Sequence, residues 1–164
     1  MKNHDLDTIA KKLANTLESK GLTISTAESC TGGMVGSTIT ALEGSSVYFL
    51  GGVISYSNEA KENLLMVDSK TLKSEGAVSS SVAEQMAKGA SQKFNSDIAV
   101  SLTGIAGPGG GSPEKPVGTV WMGVSNNNKT YSKLLQLTGD RESIRIQSTF
   151  HALSELLSQA GELK

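Results

Sequence analysis

Three short apolar segments of this chain each end in a polar cluster rich in serine, threonine or glycine. We predict a buried β-strand for each apolar segment, at residues 22–26, 52–56 and 98–102. Helical patterns separate the strands, so they should pair in parallel, and ligands of such sheets bind at the carboxyl ends of the strands. The sequence therefore predicts one ligand site, built from the polar clusters at residues 26–33, 55–61 and 103–111.

The spacing of apolar residues predicts helices around these strands. We expect helices at residues 6–20, 29–42, 58–65, 69–74, 82–94 and 140–157. Asn58 is the expected N-cap of the third helix, and serines 79–81 precede the fifth. Residues 117–124 and 131–137 predict a β-hairpin that turns at residues 126–128. Parallel strands with an added hairpin indicate the α/β class: a three-layer α/β/α sandwich with a mixed, mostly parallel sheet.

Length and charge exclude several classes of protein. A chain of 164 residues predicts a single domain over residues 1–164. The net charge of −1 gives no basic excess, so we expect no nucleic-acid partner. No apolar run approaches membrane-spanning length and the N-terminus lacks a signal core, so we expect no membrane partner. One cysteine permits no intramolecular disulfide, which favours a cytoplasmic location.

Ser29 and Cys30 are the candidate nucleophiles of the first cluster. The ordinary role of Ser29 is the N-cap of the helix predicted at residues 29–42, where a hydroxyl lies in positive potential. A helix N-terminus also activates a thiol, but a Cys–His hydrolase needs a histidine, and only His4 and His151 occur, outside the clusters. We interpret Cys30 as a small residue packed under the turn. Two separated histidines and one cysteine form no transition-metal set, so we expect no metal and no cofactor.

The remaining clusters contain candidates with ordinary alternatives. Lys61, taken alone, is a solvated surface charge, and Tyr56 is a sheet aromatic. The glycine loop at residues 104–111 leads into a strand rather than a helix, so it is no dinucleotide fingerprint, although it can form a ligand wall. Arg141 and Arg145 begin the last helix, where they either remain surface charges or bind a phosphate through the guanidinium group.

Four segments, taken in series, resemble the C-terminal domain of the competence/damage-inducible protein CinA, at residues 26–33, 56–61, 103–108 and 115–120. The resemblance covers essentially the whole chain. It implies a three-layer α/β/α sandwich with a mixed sheet. Stand-alone members of the family look like nicotinamide mononucleotide deamidases, which hydrolyse the carboxamide to nicotinate mononucleotide and ammonia. The larger CinA proteins carry an additional N-terminal domain without a counterpart here, and we do not expect its activity.

The resemblance also implies catalytic roles. Ser29 matches the family's nucleophile, Lys61 its general base and Tyr56 a third member that hydrogen-bonds the serine or relays a proton. To accept a proton, Lys61 must be partly neutral, so its pKa must lie below the usual value near ~10.4. We expect backbone N–H groups of four residues to bind the oxyanion of the tetrahedral intermediate, those of Cys30, Thr31, Gly32 and Gly33.

Other matched positions concern the substrate, a small-molecule nucleotide. Thr103, Gly104 and Gly107 match the family pattern in the glycine loop, and the match supports Arg141 more than Arg145 as a phosphate ligand. A homo-oligomer is expected from the resemblance alone. In it, another subunit would complete the glycine loop, the hairpin turn or an apolar surface on the hairpin.

Two other functions remain open from the sequence. One is a noncatalytic nucleotide-binding or regulatory module that keeps the pocket without the chemistry. The other is an amidase or esterase for a different small substrate. Ammonia release from the mononucleotide distinguishes the first from a deamidase, and dependence of turnover on a phosphate group distinguishes the second.

Overall fold

The computed structural model describes residues 3–127 and 129–163 as a five-stranded sheet between two layers of helices. In chain order the elements are α1 (Asn3–Lys20), β1 (Ile24–Glu28), α2 (Met34–Thr40), β2 (Phe49–Ile54), α3 (Asn58–Leu65), α4 (Ser69–Glu75), α5 (Ser80–Phe94), β3 (Ile98–Gly104), β4 (Thr119–Asn126), β5 (Thr130–Gln136) and α6 (Arg141–Glu162). A single 3₁₀ turn, Ser45–Val47, precedes β2.

The strands lie in the order β2-β1-β3-β4-β5. Strand β1 pairs in parallel with both β2 and β3, while β4 is antiparallel to both β3 and β5. Because only β4 runs against its neighbours, four of the strands point the same way. This arrangement confirms the mixed, mostly parallel sheet and the predicted hairpin. The predicted hairpin turn includes Asn128, which lies outside the described residues.

Each face of the sheet has its own apolar core. Helices α1, α2 and α6 cover one face through side chains that include Leu13, Leu17, Ile39 and Leu156. Helices α3, α4 and α5 cover the other face, where the core residues include Leu65, Leu72, Val82 and Met86. Two helical layers on one sheet confirm the three-layer α/β/α sandwich.

Polar side chains fix the beginnings of four helices. Ser57 Oγ accepts the N–H of Ala60 at 3.0 Å, so Ser57, and not the predicted Asn58, is the N-cap of α3. Asp68, Ser79 and Asp140 cap α4, α5 and α6 in the same way. These helices therefore begin within two residues of their predicted starts.

The prediction of one helix over residues 29–42 was wrong. Helix α2 covers only Met34–Thr40, and the preceding residues form a turn. Gly32 and Gly33 adopt positive φ angles of 61° and 95°, a left-handed conformation that cannot belong to an α-helix. Ser29 is therefore not an N-cap. Its hydroxyl lies on a turn between β1 and α2.

Exposed large apolar side chains concentrate near the edge strand β2. Six of the seven on the described residues lie between positions 47 and 66, at Val47, Leu50, Ile54, Tyr56, Leu64 and Met66. Among the described residues of the hairpin, Leu134 is the one exposed large apolar side chain. Among the described helices, none combines the length and the apolar composition needed to cross a membrane.

Candidate active site

The three polar clusters meet at one edge of the sheet. Glu28, at the end of β1, lies beside Ile54, the last residue of β2, and beside Leu102 of β3, which ends two residues later at Gly104, so the three strands end at the same edge of the sheet. The N-terminus of α6 reaches the same edge, because Arg141 Nη1 donates to the carbonyl of Gly107 at 2.8 Å. Residues far apart in sequence are thereby brought together, as the strand pattern predicted.

Ser29 and Lys61 form a buried pair at this edge. Lys61 Nζ lies 3.1 Å from Ser29 Oγ, and the residues expose only 1% and 9% of their surface, respectively. The same nitrogen donates to the carbonyls of Ser55, at 2.8 Å, and Tyr56, at 3.4 Å. Lys61 is oriented inward because α3 starts directly after these carbonyls, capped by Ser57. The sequence alone would have placed this lysine in solvent.

The environment of Lys61 favours its neutral form. Burial lowers the pKa of the amine below its ordinary value, and Cys30 opposes this change only in part. No carboxylate on the described residues forms an ion pair with Lys61. In the neutral state its two N–H bonds can remain on the carbonyls of Ser55 and Tyr56, which leaves the lone pair for the Ser29 hydroxyl. This arrangement permits proton transfer from the serine to the lysine.

Cys30 is buried under the turn, with 7% of its surface exposed. Burial raises the pKa of its thiol to about 11, and the nearby Glu28 adds to the rise, whereas the N–H groups of Cys30 and Thr31 and the charge of Lys61 oppose it. The thiol is therefore protonated near neutral pH. A protonated thiol is a poor nucleophile, which agrees with its interpretation as a packing residue.

Two of the four expected oxyanion donors are already occupied. The N–H of Gly32 donates to the carbonyl of Ser29 at 3.1 Å, and the N–H of Gly33 donates to the carboxylate of Glu28 at 3.0 Å. The N–H groups of Cys30 and Thr31 contact the Cys30 thiol, which is a weak acceptor, so they remain as candidate donors to the oxyanion. Sequence analysis assigned no role to Glu28, although a carboxylate shortly before a helix is a recognisable capping signal.

Tyr56 does not occupy the position that we expected. Its phenol oxygen lies 3.2 Å from Arg141 Nη2 and accepts a hydrogen bond there, and 62% of the residue is exposed. Strand β2 ends at Ile54, two residues earlier than predicted, so Tyr56 contributes its backbone carbonyl to Lys61 and not its hydroxyl. The expected hydrogen bond between the phenol and Ser29 is absent from the contacts of the described residues.

The two arginines of the chain both lie at this edge. Arg141 donates to Gly107 and Tyr56, and Arg145 Nη2 donates to the carbonyl of Thr31 at 2.8 Å. All of these acceptors are uncharged, and neither guanidinium forms an ion pair within residues 3–127 and 129–163. Two positive charges without a carboxylate partner create an edge that attracts anions.

The glycine-loop residues have mainly structural contacts. Thr103 Oγ1 donates to the carbonyl of Ala77 at 2.8 Å, so its proton is already used and its oxygen can act towards a ligand only as an acceptor. Gly104 packs so closely on β4 that a Cβ atom would lie 2.7 Å from the carbonyl oxygen of Thr119. Gly107, with φ of 80°, places its carbonyl against Arg141. These residues hold the loop in place.

Two buried hydroxyls near the serine–lysine pair have no hydrogen-bond partner on the described residues, those of Thr31 and Ser55. Thr31 was predicted as a binding residue, whereas Ser55 was not singled out. An unpaired buried hydroxyl is unfavourable, so both are candidate ligand contacts. The described residues contain no group of three His, Cys, Asp or Glu side chains that could hold a metal ion.

The fold and the site together define the class of this protein. It is a three-layer α/β/α domain with a buried serine–lysine pair at the carboxyl edge of its sheet and two arginines beside that pair. The chain belongs to the CinA C-terminal domain family, whose sequence profile matches residues 6–160.

Relatives in both sequence and structure support this assignment. A CinA-like protein of Geotalea daltonii is 49% identical over 93% of this chain, and one of Kosmotoga olearia is 50% identical over 90%. The chain spans only 37% and 36% of these two relatives. The competence/damage inducible protein CihA of Agrobacterium tumefaciens has a TM-score of 0.91 and 39% identity over 94% of both chains. The competence damage-inducible protein A of Klebsiella pneumoniae has a TM-score of 0.93 and 31% identity, over 97% of this chain and 99% of its own.

Proposed function

We propose that the chain is an amidohydrolase that converts nicotinamide mononucleotide to nicotinate mononucleotide and ammonia. The observation that carries this proposal is the 3.1 Å separation between Ser29 Oγ and Lys61 Nζ in a buried site where burial lowers the pKa of the lysine. A serine needs an adjacent base to act as a nucleophile, and a partly neutral lysine is a suitable base. The cytoplasm, where Cys30 remains reduced, is the proposed location.

The reaction has two halves in this mechanism. Ser29 Oγ attacks the carboxamide carbon while its proton moves to Lys61 Nζ, and the N–H groups of Cys30 and Thr31 stabilise the oxyanion. The carbon–nitrogen bond then breaks, and Lys61 returns the proton to the departing ammonia. Water adds to the resulting ester, again losing a proton to Lys61. Cleavage of the ester gives the nicotinate carboxylic acid and restores the Ser29 hydroxyl.

The arginines support a phosphorylated substrate. Arg141 and Arg145 donate only to neutral oxygen atoms, so a phosphate group can replace these acceptors with a stronger, charge-assisted partner. The carboxamide must then reach Ser29 while the phosphate remains near the start of α6. A mononucleotide has both groups, separated by a ribose.

The experiment that tests the proposal is ammonia release from nicotinamide mononucleotide, measured for the wild type, Ser29→Ala and Lys61→Ala without added metal. We expect turnover in the wild type and a loss of about 10³-fold or more in both variants. Lys133→Ala is the matched control, because this lysine pairs with Glu155 on another part of the fold. Near-wild-type turnover by folded Ser29→Ala would refute the mechanism.

Two further results would redirect the assignment. Saturable binding of the mononucleotide without ammonia release indicates a noncatalytic binding module. Release of ammonia from simple amides, without dependence on a phosphate group, indicates an amidase for another substrate.

A further inference from the structure

Glu28 is a buried carboxylate that binds three backbone N–H groups. It is the last residue of β1 and only 2% of it is exposed. Its Oε2 accepts from Gly33 at 3.0 Å and from Val35 at 3.1 Å, and its Oε1 accepts from Gly36 at 2.9 Å. Burial of a carboxylate is unfavourable unless hydrogen bonds compensate it, and these three N–H groups provide that compensation.

These contacts replace the missing side-chain cap of α2. Gly33 occupies the N-cap position and offers no side chain, so the N–H groups of Val35 and Gly36 in the first turn of the helix have Glu28 as their acceptor. The carboxylate thereby joins the end of β1 to the start of α2. The two ends of the turn at residues 29–32 are held together by this side chain. Ser29 is the first residue inside this closed turn.

The backbone of β1 holds the same turn at its other end. The N–H of Ser29 donates to the carbonyl of Leu102 at 2.9 Å, and the N–H of Ser55 donates to the carbonyl of Glu28 at 2.8 Å. The second of these bonds joins the turn to the residue whose own carbonyl accepts from Lys61. Glu28 is consequently connected to both members of the serine–lysine pair.

We propose that Glu28 is a positioning residue for the serine–lysine reaction, fixing the turn so that Ser29 Oγ remains within hydrogen-bonding distance of Lys61 Nζ. This inference rests on the proposed function. A misplacement of about 1 Å at a reacting atom can cost about 100-fold in rate. A carboxylate provides two acceptor oxygens for three N–H donors, whereas a glutamine provides one and directs an NH₂ group at the others.

The test is Glu28→Gln, with Glu155→Gln as the matched control. Both glutamates are buried, but Glu155 lies on α6, about 21 Å along the helix from Arg141, and accepts from Tyr131 and Lys133 of β5. For Glu28→Gln we expect kcat for the mononucleotide to fall by about 100-fold while KM changes by less than about threefold. For Glu155→Gln we expect a lower melting temperature with kcat unchanged.

A second readout does not depend on the substrate. The rate at which a fluorophosphonate phosphonylates Ser29 Oγ, with release of fluoride, should fall in Glu28→Gln by about the same 100-fold. A crystal structure of this variant, or of Glu28→Asp if the glutamine variant does not fold, should show Ser29 Oγ displaced from Lys61 Nζ. If the wild type does not deamidate the mononucleotide, the proposed function fails, and the displacement and the modification rate still decide the role of Glu28. An unchanged separation of Ser29 and Lys61 together with unchanged kcat or modification rate would overturn the inference.

Discussion

The guanidinium group of Arg141 donates a hydrogen bond to the phenol oxygen of Tyr56 at 3.2 Å, which connects the first residue of α6 to the segment after β2. The same guanidinium donates to Gly107 in the glycine loop. One side chain therefore connects α6, the segment after β2 and the glycine loop at the carboxyl edge of the sheet. Because neither acceptor is charged, an incoming phosphate competes well for this arginine.

We predict that Arg141→Ala raises KM for nicotinamide mononucleotide by about 10- to 100-fold, the equivalent of a lost charged hydrogen bond of about 1.5–3 kcal/mol. Turnover of nicotinamide riboside, which lacks the phosphate, should change little. Steady-state kinetics on both substrates provide the measurement. Equal losses for the two substrates would show that Arg141 supports the fold of the site and does not bind phosphate.

Tyr56→Phe tests whether the phenol takes part in proton transfer. Since its hydroxyl contacts Arg141 in the structure, we expect the variant to keep kcat within about fivefold and to raise KM for the mononucleotide modestly, as one neutral hydrogen bond contributes about 1 kcal/mol. The measurement is a kcat and KM comparison with the wild type. A loss of kcat comparable with that of Lys61→Ala would restore the role that the family resemblance implies for Tyr56.

The dependence of rate on pH follows from Lys61. A general base acts when it is deprotonated, so kcat/KM should rise with pH through the pKa of Lys61, and burial moves this pKa below 10.5. The free energy of unfolding should also rise with pH. Because the unfolded chain binds the lysine proton more tightly than the folded chain does, the folded state becomes more stable as the pH rises from the folded pKa towards 10.5. A pH profile measured between pH 6 and 10 checks the first statement. A flat profile would contradict Lys61 as the base.

Cys30 should resist alkylation. The rise of its thiol pKa from 9.0 to about 11 lowers the fraction of thiolate at pH 8 about 100-fold, and burial slows access further. Iodoacetamide at pH 8 should leave both the thiol and the activity intact in the native protein. Mass spectrometry after denaturation in the same reagent provides the positive control. Rapid labelling of the native protein would show an activated cysteine.

Substitution of two glycines in the glycine loop should distinguish a position that requires glycine for close packing from one that does not. Gly104→Ala introduces a Cβ atom 2.7 Å from the carbonyl oxygen of Thr119 and 2.8 Å from the Cα atom of Val120, and these backbone atoms cannot move aside by a side-chain rotation. We expect a loss of about 1–3 kcal/mol in the free energy of unfolding. Gly109→Ala is the matched control in the same loop, because no atom lies within 4 Å of its Cβ position. Chemical denaturation of both variants measures the difference.

Much of the fold follows from local signals in the sequence. The apolar runs that became β1 and β3, serines 79–81 at the start of α5 and the periodicity of α6 place the starts of these elements to within about two residues. Parallel pairing then requires the polar clusters to meet. The failure at residues 29–42 has a local cause as well, since apolar spacing predicts a helix but contains no information that Gly32 and Gly33 will adopt positive φ.

The details of the site are harder to predict because they depend on contacts across the fold. The inward position of Lys61 depends on the carbonyls of Ser55 and Tyr56, and the outward position of Tyr56 depends on where β2 ends. The acceptor role of Glu28 requires knowledge of where α2 begins. No spacing rule in the sequence supplies the first two facts, and the capping signal of Glu28 is useful only once the start of α2 is known. The family resemblance identified Ser29, Lys61 and Tyr56, but not their mutual geometry.

The two cores on opposite faces of the sheet have a consequence for how activity is acquired during folding. Lys61 belongs to the helical layer that contains α3, whereas Arg141 and Arg145 belong to the layer that contains α6, on the opposite face of the sheet. An intermediate with only one face of the sheet covered therefore has either the proposed base or the proposed anion-binding groups, but not both. Recovery of mononucleotide turnover during refolding should consequently report the docking of the slower layer.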